Sequence, residues 1–158
     1  MGKPGIEPIA RGLVRRGDCV LVCRNLEHGH CYLPGGHIEF GEGATDALAR
    51  EFMEEAGLSV EVGALLAVAE LRFHQRRRER HELGLVFHVK PGTPKGFPEN
   101  IASMESDIAF EWVPLSRLKE AHFKPASLLE WLRTASERAP TAWLSFDERG
   151  TAGVDSGR

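Results

Sequence analysis

Three glutamates, Glu51, Glu54 and Glu55, crowd into a segment whose pattern is helical and ends at Gly57. With Glu51 at zero on a helical wheel of ~100° per residue, Glu54 and Glu55 fall within about 60° of it. Leu48, Ala49, Phe52, Met53 and Ala56 gather on the opposite side, so the predicted helix begins near Gly43 or Ala44 and carries one acidic stripe. Such a stripe is unfavourable by itself. Like charges at i,i+3 and i,i+4 repel, and these sit in the last turns, where the helix dipole disfavours anions. A hard cation held by oxygen ligands would compensate, and Mg²⁺ is the first candidate. A solvated acidic face is the alternative.

The residues around the triplet narrow the choice. Gly36 is followed after five residues by Glu42, and after seven more by the run Arg50-Glu51-Phe52-Met53-Glu54-Glu55-Ala56-Gly57-Leu58. This spacing resembles the Nudix box, and it matches at every fixed position of that pattern. The one departure is Phe52, where the family usually has an aliphatic residue; it lies on the apolar side, so it bears on packing rather than chemistry. The box spans residues 36–58.

The resemblance implies a metal-dependent hydrolase that cleaves a diphosphate linkage in a nucleoside diphosphate derivative. By position, Glu51, Glu54 and Glu55 carry over as metal ligands, with Glu51 also able to orient or deprotonate water. Gly36 carries over as a backbone carbonyl ligand, and Arg50 and Glu42 as residues that hold the loop and glutamates in place. Many family members add a carboxylate from a later loop; Glu105 is that candidate, with Asp107 the alternate and Glu82 weaker. The implied cofactor is Mg²⁺, with Mn²⁺ able to substitute. Phe40, Phe87, Phe97 and Trp112 are candidates for stacking on a base, and Arg76, Arg77, Arg78 and Arg80 for gripping a polyphosphate.

Subclass marks beyond the box are absent. No proline occurs between Pro34 and Pro91, where ADP-ribose hydrolases of the family commonly have one. The single tyrosine, Tyr32, precedes the box, whereas diadenosine polyphosphate hydrolases commonly have one after it. The long motifs of the coenzyme A and NADH hydrolases are missing too. What remains is a nucleoside triphosphate, a nucleoside diphosphate sugar or a capped or triphosphorylated RNA end; RNA is least favoured, because the arginine-rich segment is the one evident basic footprint, and a small nucleotide is the expected substrate. A regulatory or nucleotide-binding module on the same fold is the competing class, but such a module is expected to have lost box glutamates.

These residues need elements to hold them. At 158 residues and 42% hydrophobic composition, one domain with a substantial core is expected. A net charge of −3 gives no field that points to nucleic acid or a membrane surface. The resemblance implies a small-nucleotide partner, nucleic acid and membrane are not expected, and the chain is expected to be a monomer or homodimer. Cys19, Cys23 and Cys31 are odd in number and lack CxxC spacing, which suggests a reduced, cytoplasmic chain. With His28 and His30 they invite a zinc reading, but the spacing fits no common zinc pattern. The opening residues lack the apolar core of a signal peptide.

Residues 6–14 read as extended, Arg16-Gly17-Asp18 as a hairpin turn, and Cys19 to Cys23 as an apolar strand. After the box, Val60 to Val62, Leu65 to Phe73 and Leu83 to Val89 have strand composition. The segment from His74 to His81 between them reads as a polar hairpin tip. Phe110 to Pro114 is a further strand, and Ser127 with Glu130 predicts a capping box opening a last helix through Leu132. The domain is expected over 1–138, with 139–158 an extension whose last dozen residues fray and in which Trp143, Leu144 and Phe146 pack as a short segment. The fold class is α/β; the resemblance implies an α/β/α sandwich with a mixed sheet and a loop–helix–loop at the box.

Overall fold

The computed structural model describes residues 4–150. Its frame is a five-stranded mixed sheet, in the order β5 (Gly35–His37), β1 (Glu7–Leu13), β7 (Arg78–Pro91), β6 (Val60–Gln75), β9 (Ala142–Asp147). β1 runs parallel to β7 and β9 parallel to β6; the β1·β5 and β6·β7 pairs are antiparallel. A second sheet is built on β3 (Cys19–Asn25), which pairs antiparallel with β2 (Arg15–Arg16), β4 (Cys31–Tyr32) and β8 (Ile108–Pro114). Helices α1 (Ala44–Ala56) and α2 (Leu129–Thr134) complete the α/β/α sandwich.

Alternation along β1 divides the core. Ala10 and Val14 pack with Leu48 and Phe52 of α1, together with Leu21, Phe87 and Val89. Leu13 turns to the other side and joins Val20, Val86, Leu128 and Leu132, next to α2. The aromatic ring at Phe52 fits because β1 offers bare backbone: a β-carbon on Gly12 would come within 2.8 Å of the Phe52 ring. The sequence thus pairs an oversized box residue with a glycine on the facing strand. Met53, expected on the apolar side, is 51% exposed, since the packed stripe is the narrower one of Ala47, Leu48, Phe52 and Ala56.

Three further expectations are corrected. The last helix forms as expected, over Leu129–Thr134 after a 3-10 turn at Ala126–Leu128, but Ser127 makes no capping bond; its hydroxyl donates to Glu148 Oε1 at 3.0 Å, a tertiary contact that competes with the local cap. The fold does not stop at residue 138: Trp143, Leu144 and Phe146 lie in β9, an edge strand of the main sheet, with Leu144 and Phe146 packed on the α2-side core. Most of the expected frayed tail, residues 151–158, lies outside the described residues. The basic segment is also shorter as a loop than expected. β6 and β7 pair out to Gln75 and Arg78, leaving Arg76 and Arg77 as a two-residue tip with φ of 48° and 62°. Among the described residues, no helix is long and apolar enough to cross a membrane.

Candidate active site

The site is assembled where β5, α1 and the loop before β8 meet. Gly35 and Gly36 carry the chain past β1, with Gly36 opposite Ala10 and Gly35 opposite Arg11. Gly35 has φ +137° and a β-carbon there would overlap the Ala10 carbonyl, so only glycine fits. At Gly36 the reason differs: a β-carbon would occupy the place of the Glu51 carboxylate. The bare backbone at Gly36 therefore lets a carboxylate and a peptide approach one spot.

Helix α1 presents the glutamates. It ends at Gly57 in the left-handed conformation (φ 63°), with Gly57 N–H donating to Met53 O and Leu58 N–H to Phe52 O, which fixes the last turn that carries Glu54 and Glu55. Arg50 is the hub of the stripe. Its Nε donates to Glu42 Oε1 at 2.8 Å and its Nη2 to Glu42 Oε2 at 3.1 Å, while Nη1 reaches Glu51 Oε1 at 3.2 Å and Glu54 Oε2 at 3.1 Å. Nη2 also donates to the His37 carbonyl, tying the loop to the helix. The hydrogen bonds to Glu42 hold the Arg50 guanidinium firmly charged, and Arg50 in turn holds the Glu42 carboxyl below its usual range. The supporting roles expected of Arg50 and Glu42 thus have a geometry.

Glu55 sits deeper. Burial, then the neighbouring charge of Glu51, pushes its carboxyl up to about 7, with Arg11 opposing and Glu105 and Asp107 adding to the rise. Burial likewise raises Glu51, against the pull of Arg50. The loop carrying Glu105 is tied to the helix end, since Met104 N–H donates to Glu55 O at 2.7 Å. Ser103 Oγ braces the same turn, accepting from Glu105 N–H at 3.1 Å. Beyond burial and Glu51, the negative charges of Glu105 and Asp107 add to the rise of the Glu55 carboxyl.

The donor set suits a hard cation: several carboxylates, some costly to ionise without a counter-charge, around a backbone stripped of its β-carbon. Among the described residues no three carboxylate, histidine or cysteine side chains already stand together as a ligand set. The Arg50 contacts account for this in part, because they draw Glu51 and Glu54 to the guanidinium. The three cysteines are free thiols, with Cys23 and Cys31 buried.

The other residues named from the sequence fall elsewhere. Phe40 is fully exposed, on the loop before α1. Phe87 is core, and Phe97 packs on Trp112 (ring centres 6.3 Å apart) with Arg16 4.1 Å over the indole, a cluster that braces the loop before β8. None of these rings lines the cleft described next. Ala10 pairs with both Gly36 and Leu85, and Arg77 lies eight residues along β7 from Leu85, roughly 26 Å at ~3.3 Å per residue. Arg76, Arg77 and Arg78 are therefore remote from the box, which corrects the expectation that they grip polyphosphate. Arg80 is engaged by Glu7, whose Oε2 also lies 2.9 Å from His37 Nε2.

On the α2 side of the sheet lies a cleft lined by Arg11, Tyr32, Leu71, Glu82, Gly84, Phe123 and Lys124, among others. Arg11, Tyr32, Phe123 and Lys124 escaped the sequence reading. One signal was present: Arg11 is a charge inside the apolar run from Ile9 to Val14.

The NUDIX domain family matches residues 7–132. The chain belongs to the Nudix family. Among curated Nudix relatives, a MutT-like protein of Streptomyces ambofaciens is 35% identical over 83 residues, covering 52% of this chain and 50% of that protein. An RNA pyrophosphohydrolase of Ruthia magnifica is 48% identical over 48 residues, covering 30% of this chain and 27% of its own length. The alignments thus span half or less of these relatives. Among solved structures, a mutator MutT protein from Bacillus halodurans superposes with a TM-score of 0.66 at 16% identity, covering 92% of each chain. A UDP-X diphosphatase superposes with a TM-score of 0.62 at 16% identity, over 91% of this chain and 69% of that one. At such identities the likeness shows the Nudix fold alone.

Proposed function

We propose that this Nudix protein is a pyrophosphohydrolase that uses a divalent metal, Mg²⁺ or Mn²⁺, to cleave a diphosphate linkage in a small nucleotide, a nucleoside triphosphate or a nucleoside diphosphate sugar. The observation that carries this reading is the Glu51 carboxylate lying against the bare backbone of Gly36 on the helix that also bears Glu54 and Glu55, with the Glu105 loop bonded to the end of that helix. Glu51, Glu54, Glu55 and the Gly36 carbonyl would hold the metal, with Glu105 or Asp107 added from the loop. Such an ion, when bound, neutralises phosphate oxygens and makes water a better nucleophile. The chain's own residues do the rest. Arg50 and Glu42 keep the helix and the preceding loop in register, and Glu51, half-buried beside Gly36, is placed to accept a proton from water.

The names of related proteins support a nucleotide derivative as substrate: one curated relative is called an RNA pyrophosphohydrolase and another a NAD-capped RNA hydrolase. The small-nucleotide reading is favoured over RNA because the arginine-rich tip lies far from the box, and no other basic surface led toward it in the sequence. A non-catalytic module has no feature in its favour, since every box carboxylate is retained. The test is a panel of nucleoside triphosphates, nucleoside diphosphate sugars and 5′-triphosphorylated or capped RNA, each with Mg²⁺ or Mn²⁺, identifying the phosphate product. Hydrolysis of a small nucleotide at a phosphoanhydride bond is expected. Turnover of RNA ends alone, or of nothing, contradicts the reading.

A further inference from the structure

Arg11 is a charge inside the apolar run from Ile9 to Val14, and its side chain turns to the segment that enters the box. Its Nη1 donates to Leu33 O and to Gly35 O, each at 3.2 Å, and so brackets Pro34. Between them, Pro34 O accepts from the Gly12 N–H at 2.8 Å. Three consecutive carbonyls before Gly36 are thus held by two consecutive residues of β1. The Arg11 guanidinium carbon lies 5.3 Å from the centre of the Tyr32 ring, a cation–π contact that limits how the fork can swing.

The segment has little else to fix it. β5 has three residues, two of them glycine, and Gly36 has no side chain whose packing could set its peptide. The space where its β-carbon would stand belongs to the Glu51 carboxylate. The carbonyls on either side of Gly36 are each tied by an arginine: Gly35 O by Arg11, and His37 O by Arg50 Nη2 at 3.2 Å. Arg50 also bonds the glutamates. Arg11 makes no ion pair with them among the described residues, yet its positive charge opposes the burial that raises Glu51 and Glu55. A fixed cation near a cation site repels the ion, so its charge alone would work against binding.

We propose that Arg11 is a positioning residue for the metal: by bracketing Pro34 it sets the Gly35–Gly36 peptide, from which the Gly36 carbonyl is offered to the ion. This rests on the reading of Gly36 and the box glutamates as a metal site. Arg11 itself touches neither the ion nor the reacting atoms.

Positioning and charge predict opposite signs. Mn²⁺ affinity is measured by electron paramagnetic resonance on wild type, Arg11→Gln and Arg11→Lys, with no nucleotide present. The Gly36 amide nitrogen shift is recorded by NMR on the same proteins without metal, because it responds to hydrogen bonding at the Gly35 carbonyl of the same peptide. Arg11→Gln should bind Mn²⁺ about tenfold more weakly, the scale of losing an outer partner of a metal ligand, and its Gly36 shift should move. Arg11→Lys, one bond shorter and unable to bracket both carbonyls, should also bind more weakly than wild type. Charge acting alone would make Arg11→Gln bind more tightly and leave Arg11→Lys equal to wild type. A merely structural arginine would lower the melting temperature without changing the Mn²⁺ affinity of the folded protein. Affinity in Arg11→Gln equal to or tighter than wild type therefore overturns the proposal, and so does weaker binding with an unmoved Gly36 shift. If Arg11→Gln does not fold, Arg11→Lys decides alone, and an affinity equal to wild type overturns it. Wild type that binds no Mn²⁺ refutes the metal-site reading instead. The Gly36 shift then decides the remainder: unmoved in Arg11→Gln, it removes the bracket too, and moved, it leaves Arg11 as the residue that sets this peptide.

Discussion

The glutamates of α1 and the arginines at the end of the β6–β7 hairpin are the two densest runs of like charge in the chain, and they meet different fates. The glutamates converge: Arg50 links three of the box carboxylates, Gly36 yields its side-chain space to Glu51, and a distant loop is bonded to Glu55. The arginines disperse. Arg76, Arg77 and Arg78 are exposed at and beside a two-residue turn, and Arg80 is taken up by Glu7. Local density of charge does not make a site. A site needs like charges held together against their repulsion, with a backbone shaped to admit what relieves it.

The sharpest way to break this comparison is to neutralise each cluster. Glu54→Gln or Glu55→Gln should lower the hydrolysis rate by at least ~10²-fold, the scale of losing one electrostatic contact in a site. Arg76, Arg77 and Arg78 changed together to Ser should leave kcat/KM within about twofold at low and moderate salt, because exposed charges so far from the box are screened. A salt-dependent rise in KM in the triple variant would restore the arginines to the site.

The two neighbouring glycines sharpen the same contrast. Gly35→Ala meets backbone at a positive φ and should destabilise the fold by roughly 3 kcal/mol or more, read from denaturant unfolding. Gly36→Ala meets only the end of the Glu51 side chain, so it should fold with a smaller loss and weaken Mn²⁺ binding about tenfold. Equal stability losses with unchanged Mn²⁺ affinity would make both glycines merely structural.

A subtler sign of convergence is the dependence of stability on pH. The Glu55 carboxyl is raised to about 7 in the fold, so the folded chain holds a proton that the unfolded chain has released. In EDTA, Glu55 therefore contributes stability that grows as pH falls from above 7 toward the ordinary carboxylate range. Melting temperatures at pH 8 and pH 5.5 should show this gain in wild type and a smaller one in Glu55→Gln. The same gain in both would mean that Glu55 is not the strained group. Smallest in effect is the packing beneath the box: Gly12→Ala should cost about 1–3 kcal/mol, and less in a Phe52→Leu background, since its β-carbon meets the Phe52 ring.

Much of the site was legible because it is local. Glu51, Glu54 and Glu55 share a stripe by helical periodicity alone, and Gly57 marks where the helix stops. What escaped depends on pairing between distant segments. Arg11 reads as an odd charge until the parallel β1·β7 ladder and β5 place it between cleft and box. β9 looks like part of a tail because its partner, β6, is some seventy residues earlier and the pairing is parallel. Ser127 and Glu130 have the spacing of a local cap, but a tertiary partner, Glu148, claims the hydroxyl. The arginine tip was overread for a related reason. Its composition suits phosphate, but where it sits is decided by how far two strands pair, and nothing within the tip encodes that.

The most direct test of the central claim is Mn²⁺ binding to wild type and Glu55→Gln, followed by electron paramagnetic resonance at pH 7.5 with no nucleotide present. Wild type should bind the ion at the box, and Glu55→Gln should bind it at least ~10-fold more weakly while melting no lower than wild type in EDTA. Equal affinity in the two proteins would contradict the account, because the half-buried glutamate of the acidic cluster would then not be a ligand.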